Sequence, residues 1–240
     1  MSLNSGAYSR TEPDPKKIGS KVQKGFSPSM KKAINKQLTD YVARAETYTD
    51  SASMIRGIRS DLKPLESYYS FNVMAKDLLF FSEFASKELG IVEGVYRPSI
   101  VSLVNDRVLG LLQGKSKKNP NQKSTDEATI KKITSIIGTE TDTNIILKTL
   151  VKELKSYAID KANIIARTEA GTVTEESRQA LYLESGYSQK RSLSVADDNV
   201  SEICRNCEKQ GFIKIGFSFA SGASTSPHHI NCRCTIQYIE

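Results

Sequence analysis

All four cysteines and both histidines of this 240-residue chain fall within 31 residues, from Cys204 to Cys234. Cys204 and Cys207 form a Cys-x-x-Cys pair; a gap of 20 residues follows, and then His228-His229-Ile230-Asn231-Cys232-Arg233-Cys234. Thiolates and imidazoles are the donors a tetrahedral zinc ion takes, and a two-residue gap lets two of them reach one ion from a tight turn. His229 and Cys232 repeat that gap. The spacing predicts one structural zinc per chain drawn from Cys204, Cys207, His229, Cys232 and Cys234, with at least one donor surplus to four places. His228 is the expected bystander. Disulfide or redox pairing, and plain apolar packing of the thiols, are the competing readings of the same residues. A full set of four protein donors leaves no place for water, so no catalytic residue is assigned and no enzymatic activity is expected.

The segments around this cluster read as short strands: Ser192–Ala196, residues 212–219 and residues 234–239, β-branched or aromatic and separated by loops. From residue 28 to Gly186 the spacing is mostly helical. Met30, Ile34, Leu38, Tyr41 and Ala45 share one face, and a short helix over 53–63 stops at Pro64. Phe71, Met74, Leu78, Phe81 and Ala85 form an aromatic stripe within 66–89, stopped by Gly90. Val101, Val104, Val108 and Leu111 follow on a helix with Pro98 in its first turn. After a basic loop over 114–124, Ser124 and Glu127 make a capping box for a helix ending at Gly138. Leu147, Leu150, Val151, Leu154, Ala158, Ile165 and Ala166 continue the pattern, and a second capping box, Thr172 and Glu175, opens a helix to Leu183. The helices are expected to pack as a bundle with Phe71, Leu78 and Phe81 buried. The fold class is therefore α+β: a mainly α-helical N-terminal two-thirds and a small β-containing C-terminal domain stapled by zinc. The expected divisions are a basic arm over 1–27, a helical region over 28–158 and the cysteine domain over 159–240.

Composition sets the outer limits. Hydrophobic residues are 38% and charged residues 25%, enough apolar content for a folded core. The densest apolar run, Leu78 to Phe81, is far too short to span a bilayer. Met1 is followed by no apolar stretch of the secretory kind, so a reducing cytosol is the expected compartment. The net charge is +7, of which +6 lies in residues 1–60, and residues 161–240 are neutral. Lys16, Lys17, Lys21, Lys24, Lys31 and Lys32 make the N-terminal segment a candidate contact for nucleic acid or an acidic protein face.

Beyond the cysteines, the last 80 residues carry motifs in a recognisable order: Ile165-Ala166-Arg167-Thr168-Glu169, Arg178, Gly186, Lys190-Arg191, Asp197-Asp198, Cys204-Arg205-Asn206-Cys207, and Pro227 through Cys234. This order resembles the C-terminal domain of the phage Mu protein F-like family, minor head proteins of tailed bacteriophages. Ser192 stands where that family usually has tryptophan, Ile230 where it has proline, and the aspartate-to-cysteine spacing is longer. The resemblance implies a virion protein in the capsid interior or at the portal vertex. It would act in head morphogenesis and in genome packaging or delivery, with the portal or major capsid protein, and phage DNA, as partners. Arg167, Thr168 and Glu169 read as structural residues tying the helices to the sheet, and Asp197 and Asp198 as turn formers. Two alternatives fit the residues less well. An HNH-like nuclease would need its asparagine farther from the histidine than Asn231 is from His229. A zinc-containing DNA-binding protein would carry its basic charge near the cysteines, which it does not.

Overall fold

The computed structural model describes residues 26–88, 98–114, 123–138, 140–195 and 197–240. Nearly all of the expected arm, with Lys16, Lys17, Lys21 and Lys24, lies outside these residues, as do Gly90, Ala196, the side chain of Ala85 and most of the 114–124 loop. Lys31 and Lys32 are described, exposed on the first helix.

Among the described residues the chain forms seven α-helices and one small sheet. The helices are α1 (Phe26–Ala45), α2 (Ser51–Asp61), α3 (Phe71–Glu88), α4 (Pro98–Gln113), α5 (Thr125–Ile137), α6 (Thr143–Glu184) and α7 (Glu202–Lys209). The first begins inside the expected arm, because Phe26 and Ser27 are buried: the Phe26 ring lies 5.8 Å from that of Tyr69, and Ser27 Oγ donates to Asn163 Oδ1 at 2.8 Å. Asp50 caps α2 by accepting from the Ser53 amide, and Pro64 precedes a 3-10 turn (Leu65–Ser67). The Ser124–Glu127 capping box is present on α5, which ends at Gly138.

The largest departure from expectation is α6, one helix of 42 residues. At 1.5 Å per residue it is about 63 Å long. It runs unbroken through the expected division at 158/159 and through the second expected capping box. Thr172 does not cap: its hydroxyl donates to the Thr168 carbonyl at 2.8 Å, as a mid-helix threonine does. Ala158, Ala162, Ala166 and Ala170 are buried at four-residue intervals, a stripe small enough to let α1 and α3 pack closely along α6. Leu78 and Phe81 are buried in this core and Phe71 packs partly buried against it.

Beyond Gly186 the chain turns into an antiparallel sheet of order β2-β1-β3: β1 (Gln189–Leu193), β2 (Ile213–Lys214) and β3 (Thr235–Ile239). Lys190 pairs with Tyr238 and Ser192 with Ile236. The first strand sits earlier than expected and in the opposite sense. Its buried positions are Lys190 and Ser192, while Leu193 is only half-buried. A second core of Tyr182, Cys207, Ile215, Phe219, Ile236 and Tyr238 lies between the sheet, α7 and the end of α6.

Candidate metal centre

The sulfurs of Cys204, Cys232 and Cys234 all lie within 4.8 Å of one another. Ligands held about 2.3 Å from a tetrahedral ion stand about 3.8 Å apart. The Cys204 and Cys232 sulfurs are 3.6 Å apart, close to that spacing. The three cysteines could hold a metal ion.

Cys232 and Cys234 both reach the cluster from the loop that precedes β3, which begins at Thr235. Asn231 turns the chain with φ +63°, a conformation asparagine tolerates better than most residues. That turn is anchored to α6. The Asn231 amide donates to Thr168 Oγ1 at 3.0 Å, and Arg167 Nη1 donates to Asn231 Oδ1 at 2.7 Å. One residue on, Glu169 binds Arg107 of α4 through both oxygens, at 2.5 and 3.0 Å. Arg167, Thr168 and Glu169 therefore fasten the metal loop and α4 to the long helix. Asp197 has a second role beyond its turn. Its carboxylate takes both terminal nitrogens of Arg233, the residue between Cys232 and Cys234, at 2.5 and 2.8 Å. Sequence reasoning did not find this clamp; opposite charges at those two positions were the available signal.

The two histidines separate by environment. His229 Nε2 lies 3.1 Å from Cys204 Sγ, and its Nδ1 is 2.8 Å from the Ile230 carbonyl. A carbonyl accepts, so Nδ1 carries the proton and Nε2 faces the Cys204 sulfur. His228 is buried with both nitrogens engaged, Nε2 by Ser192 Oγ at 2.8 Å and Nδ1 by Ser221 Oγ at 3.1 Å. Burial pushes its imidazolium down, so the ring is neutral.

Cys207 corrects the expected ligand set. Its Cys-x-x-Cys motif lies on helix α7 rather than on a tight turn. Three residues along a helix rotate a side chain by about 60°. Cys204 thus faces the 229–234 loop while Cys207 is fully buried among the apolar side chains behind the sheet.

The three sulfurs differ in acidity. Hydrogen bonding from Cys234, then the loop amides, pulls Cys232 down to about 4. The same contact with Cys232 pushes Cys234 up, and burial pushes Cys204 up. An ion would displace the protons that these thiols carry.

No family model, curated protein or solved structure matches this chain. No helix among the described residues is long and apolar enough to cross a membrane.

Lys190 braces the loop from inside. It is fully buried, with Nζ donating to Gln179 Oε1 at 2.8 Å and to the Ser224 carbonyl at 2.5 Å. Burial pulls its ammonium down to about 8, against the attraction of Glu176. An unfolded lysine titrates near 10.4, so between about pH 8 and 10.4 the unfolded chain binds the extra proton and stability rises with pH. Below that window both states are protonated and the burial penalty is fully present. Between pH 7.5 and 9.5 the wild type is expected to gain about 1–2 kcal/mol relative to Lys190→Met, measured by urea unfolding. A constant difference between the two proteins across that range would contradict this account.

Proposed function

We propose that this chain is a minor head protein of a tailed bacteriophage, seated in the capsid interior or at the portal vertex. It acts there in head morphogenesis and in genome packaging or delivery, and its Cys/His cluster holds one structural zinc through Cys204, Cys232, Cys234 and His229. The observation that carries the reading is convergence. Motifs spread from residue 165 to residue 234 meet at one point, through Arg167 and Thr168 on Asn231, Asp197 on Arg233, and Cys204 on the His229–Cys234 loop. Motifs that recur together in a family are expected to meet like this when they build one structural unit. Every residue in the knot is spent on tying the loop to helix and sheet, and four protein donors fill a tetrahedral ion, which supports assembly over catalysis. The portal or major capsid protein, and phage DNA along the basic N-terminal residues, are the proposed partners.

Mass spectrometry of purified virions, with copy-number quantification against the major capsid protein, tests this. A few copies per particle are expected. Absence from both virions and assembly intermediates would remove the head-protein reading. Incubation with plasmid DNA and Mg²⁺ or Mn²⁺ is expected to leave the plasmid intact, and metal-dependent nicking would instead favour a nuclease.

A further inference from the structure

A cleft of about 910 Å³ opens where residues 218–230 lean over the middle of α6, closed on the far side by α4 and the start of α5. One face of α6 lines it, with Lys161, Ile165, Thr168, Glu169, Thr172 and Glu176 recurring at helical intervals. The acids of this face have partners. Glu169 is neutralised by Arg107, and Glu176 accepts from Ser224 Oγ at 3.3 Å. The cations are left over. Lys161 and Lys123 both line the cleft, and neither makes an ion pair or hydrogen bond among the described residues. Arg107 gives Nε and Nη2 to Glu169, leaving Nη1 for another acceptor.

Lys161 is the informative residue. It is half-buried, and burial alone, with no acid to oppose it, pushes its ammonium below the usual lysine range. A desolvated charge without a counter-charge destabilises the fold unless something else supplies the opposite charge. The donors come from three separate places, α4, the segment just before α5, and α6. A carboxylate is suited to one planar fork; an anion with oxygens on several sides is suited to donors that arrive from several directions.

We propose that this cleft binds a phosphate group, held by the ammonium groups of Lys161 and Lys123 and the free edge of Arg107. The volume far exceeds one phosphate, so the group enters with whatever carries it, as a small phosphate monoester or as one phosphate of a nucleic-acid backbone. The proposal stands on the cleft alone and is independent of the head-protein reading.

The test is calorimetric titration and thermal melting of the full chain with glycerol phosphate and, separately, with a short DNA duplex. Wild type is compared with Lys161→Met, Lys161→Arg and Lys152→Met, the last an exposed lysine on the same helix. Lys161→Met is expected to weaken binding at least about tenfold and to abolish the rise in Tm that ligand gives wild type. Lys161→Arg stays within about threefold and Lys152→Met within about twofold. Without ligand, Lys161→Met should melt higher than wild type, because it removes the uncompensated charge. Binding of glycerol phosphate that the duplex does not displace assigns a small monoester; displacement by the duplex assigns a backbone phosphate. The proposal is overturned if neither probe binds, if Lys161→Met binds like wild type, or if Lys152→Met loses as much as Lys161→Met.

Discussion

Cys232→Ser protein, purified without added metal, is expected to carry almost none of the roughly one zinc per chain expected of wild type, and its C-terminal unit is expected to unfold below the helical body. Cys232 sits at the centre of the cluster. It lies 3.6 Å from the Cys204 sulfur and receives the Cys234 amide, and hydrogen bonding from Cys234 pulls its thiol down. The sheet it supports is small, with strands of five, two and five residues, so the ion's contribution to that unit should reach several kcal/mol. Cys204→Ser should behave in the same way. Cys207→Ser is the discriminating control. It should keep the full metal content yet lose about 1–3 kcal/mol, because a hydroxyl replaces a thiol inside an apolar cluster. Elemental analysis and differential scanning calorimetry of the three variants give both readouts. Fresh protein without metal, lighter by the two hydrogens of a Cys204–Cys232 bridge, would show that the cysteines pair with each other instead.

How far the sequence announced these features follows from the range of the interactions involved. The amphipathic helices were legible because their apolar faces and caps are local: Asp50 on Ser53 and Ser124 on Glu127 act within one turn. The false capping box at Thr172 and Glu175 has the same local pattern. What separates it is the Thr168 carbonyl, one turn back and already in helix, and a distant, buried partner for Glu175 on β3. Cys-x-x-Cys likewise reads the same on a helix and on a turn, and only the sheet behind α7 decides that Cys207 points into apolar packing. The inward face of β1 was illegible for a related reason. Lys190 and Ser192 look like surface residues until Gln179, Ser224 and His228, from elsewhere in the chain, satisfy them. The metal loop was legible because its donors are rare residue types concentrated in one place.

The second large effect should come from Arg178. Its guanidinium and the Glu175 carboxylate are each only 2% exposed, held together at 2.8 and 3.0 Å between α6 and β3. Thr235 closes a triangle, accepting from Arg178 Nη1 at 3.0 Å and donating to Glu175 Oε1 at 2.6 Å. Tyr182 and Tyr238 flank the guanidinium, with ring centroids 5.8 and 5.7 Å away, and keep water out. Arg178→Met would strip the counter-charge from a buried carboxylate, which costs about 3–5 kcal/mol in comparable sites. The double variant Glu175→Leu with Arg178→Met should recover much of that loss, since no charge is then left buried. Raising salt from low to molar concentration should barely change the penalty, because no solvent separates the pair. Thr235 follows Cys234 directly, so the loss should fall on the unit that carries the cysteine cluster, and its zinc content should fall with it. Urea unfolding of the two single variants and the double variant closes the cycle. An Arg178→Met penalty below about 1 kcal/mol would mean the triangle is not what joins α6 to β3.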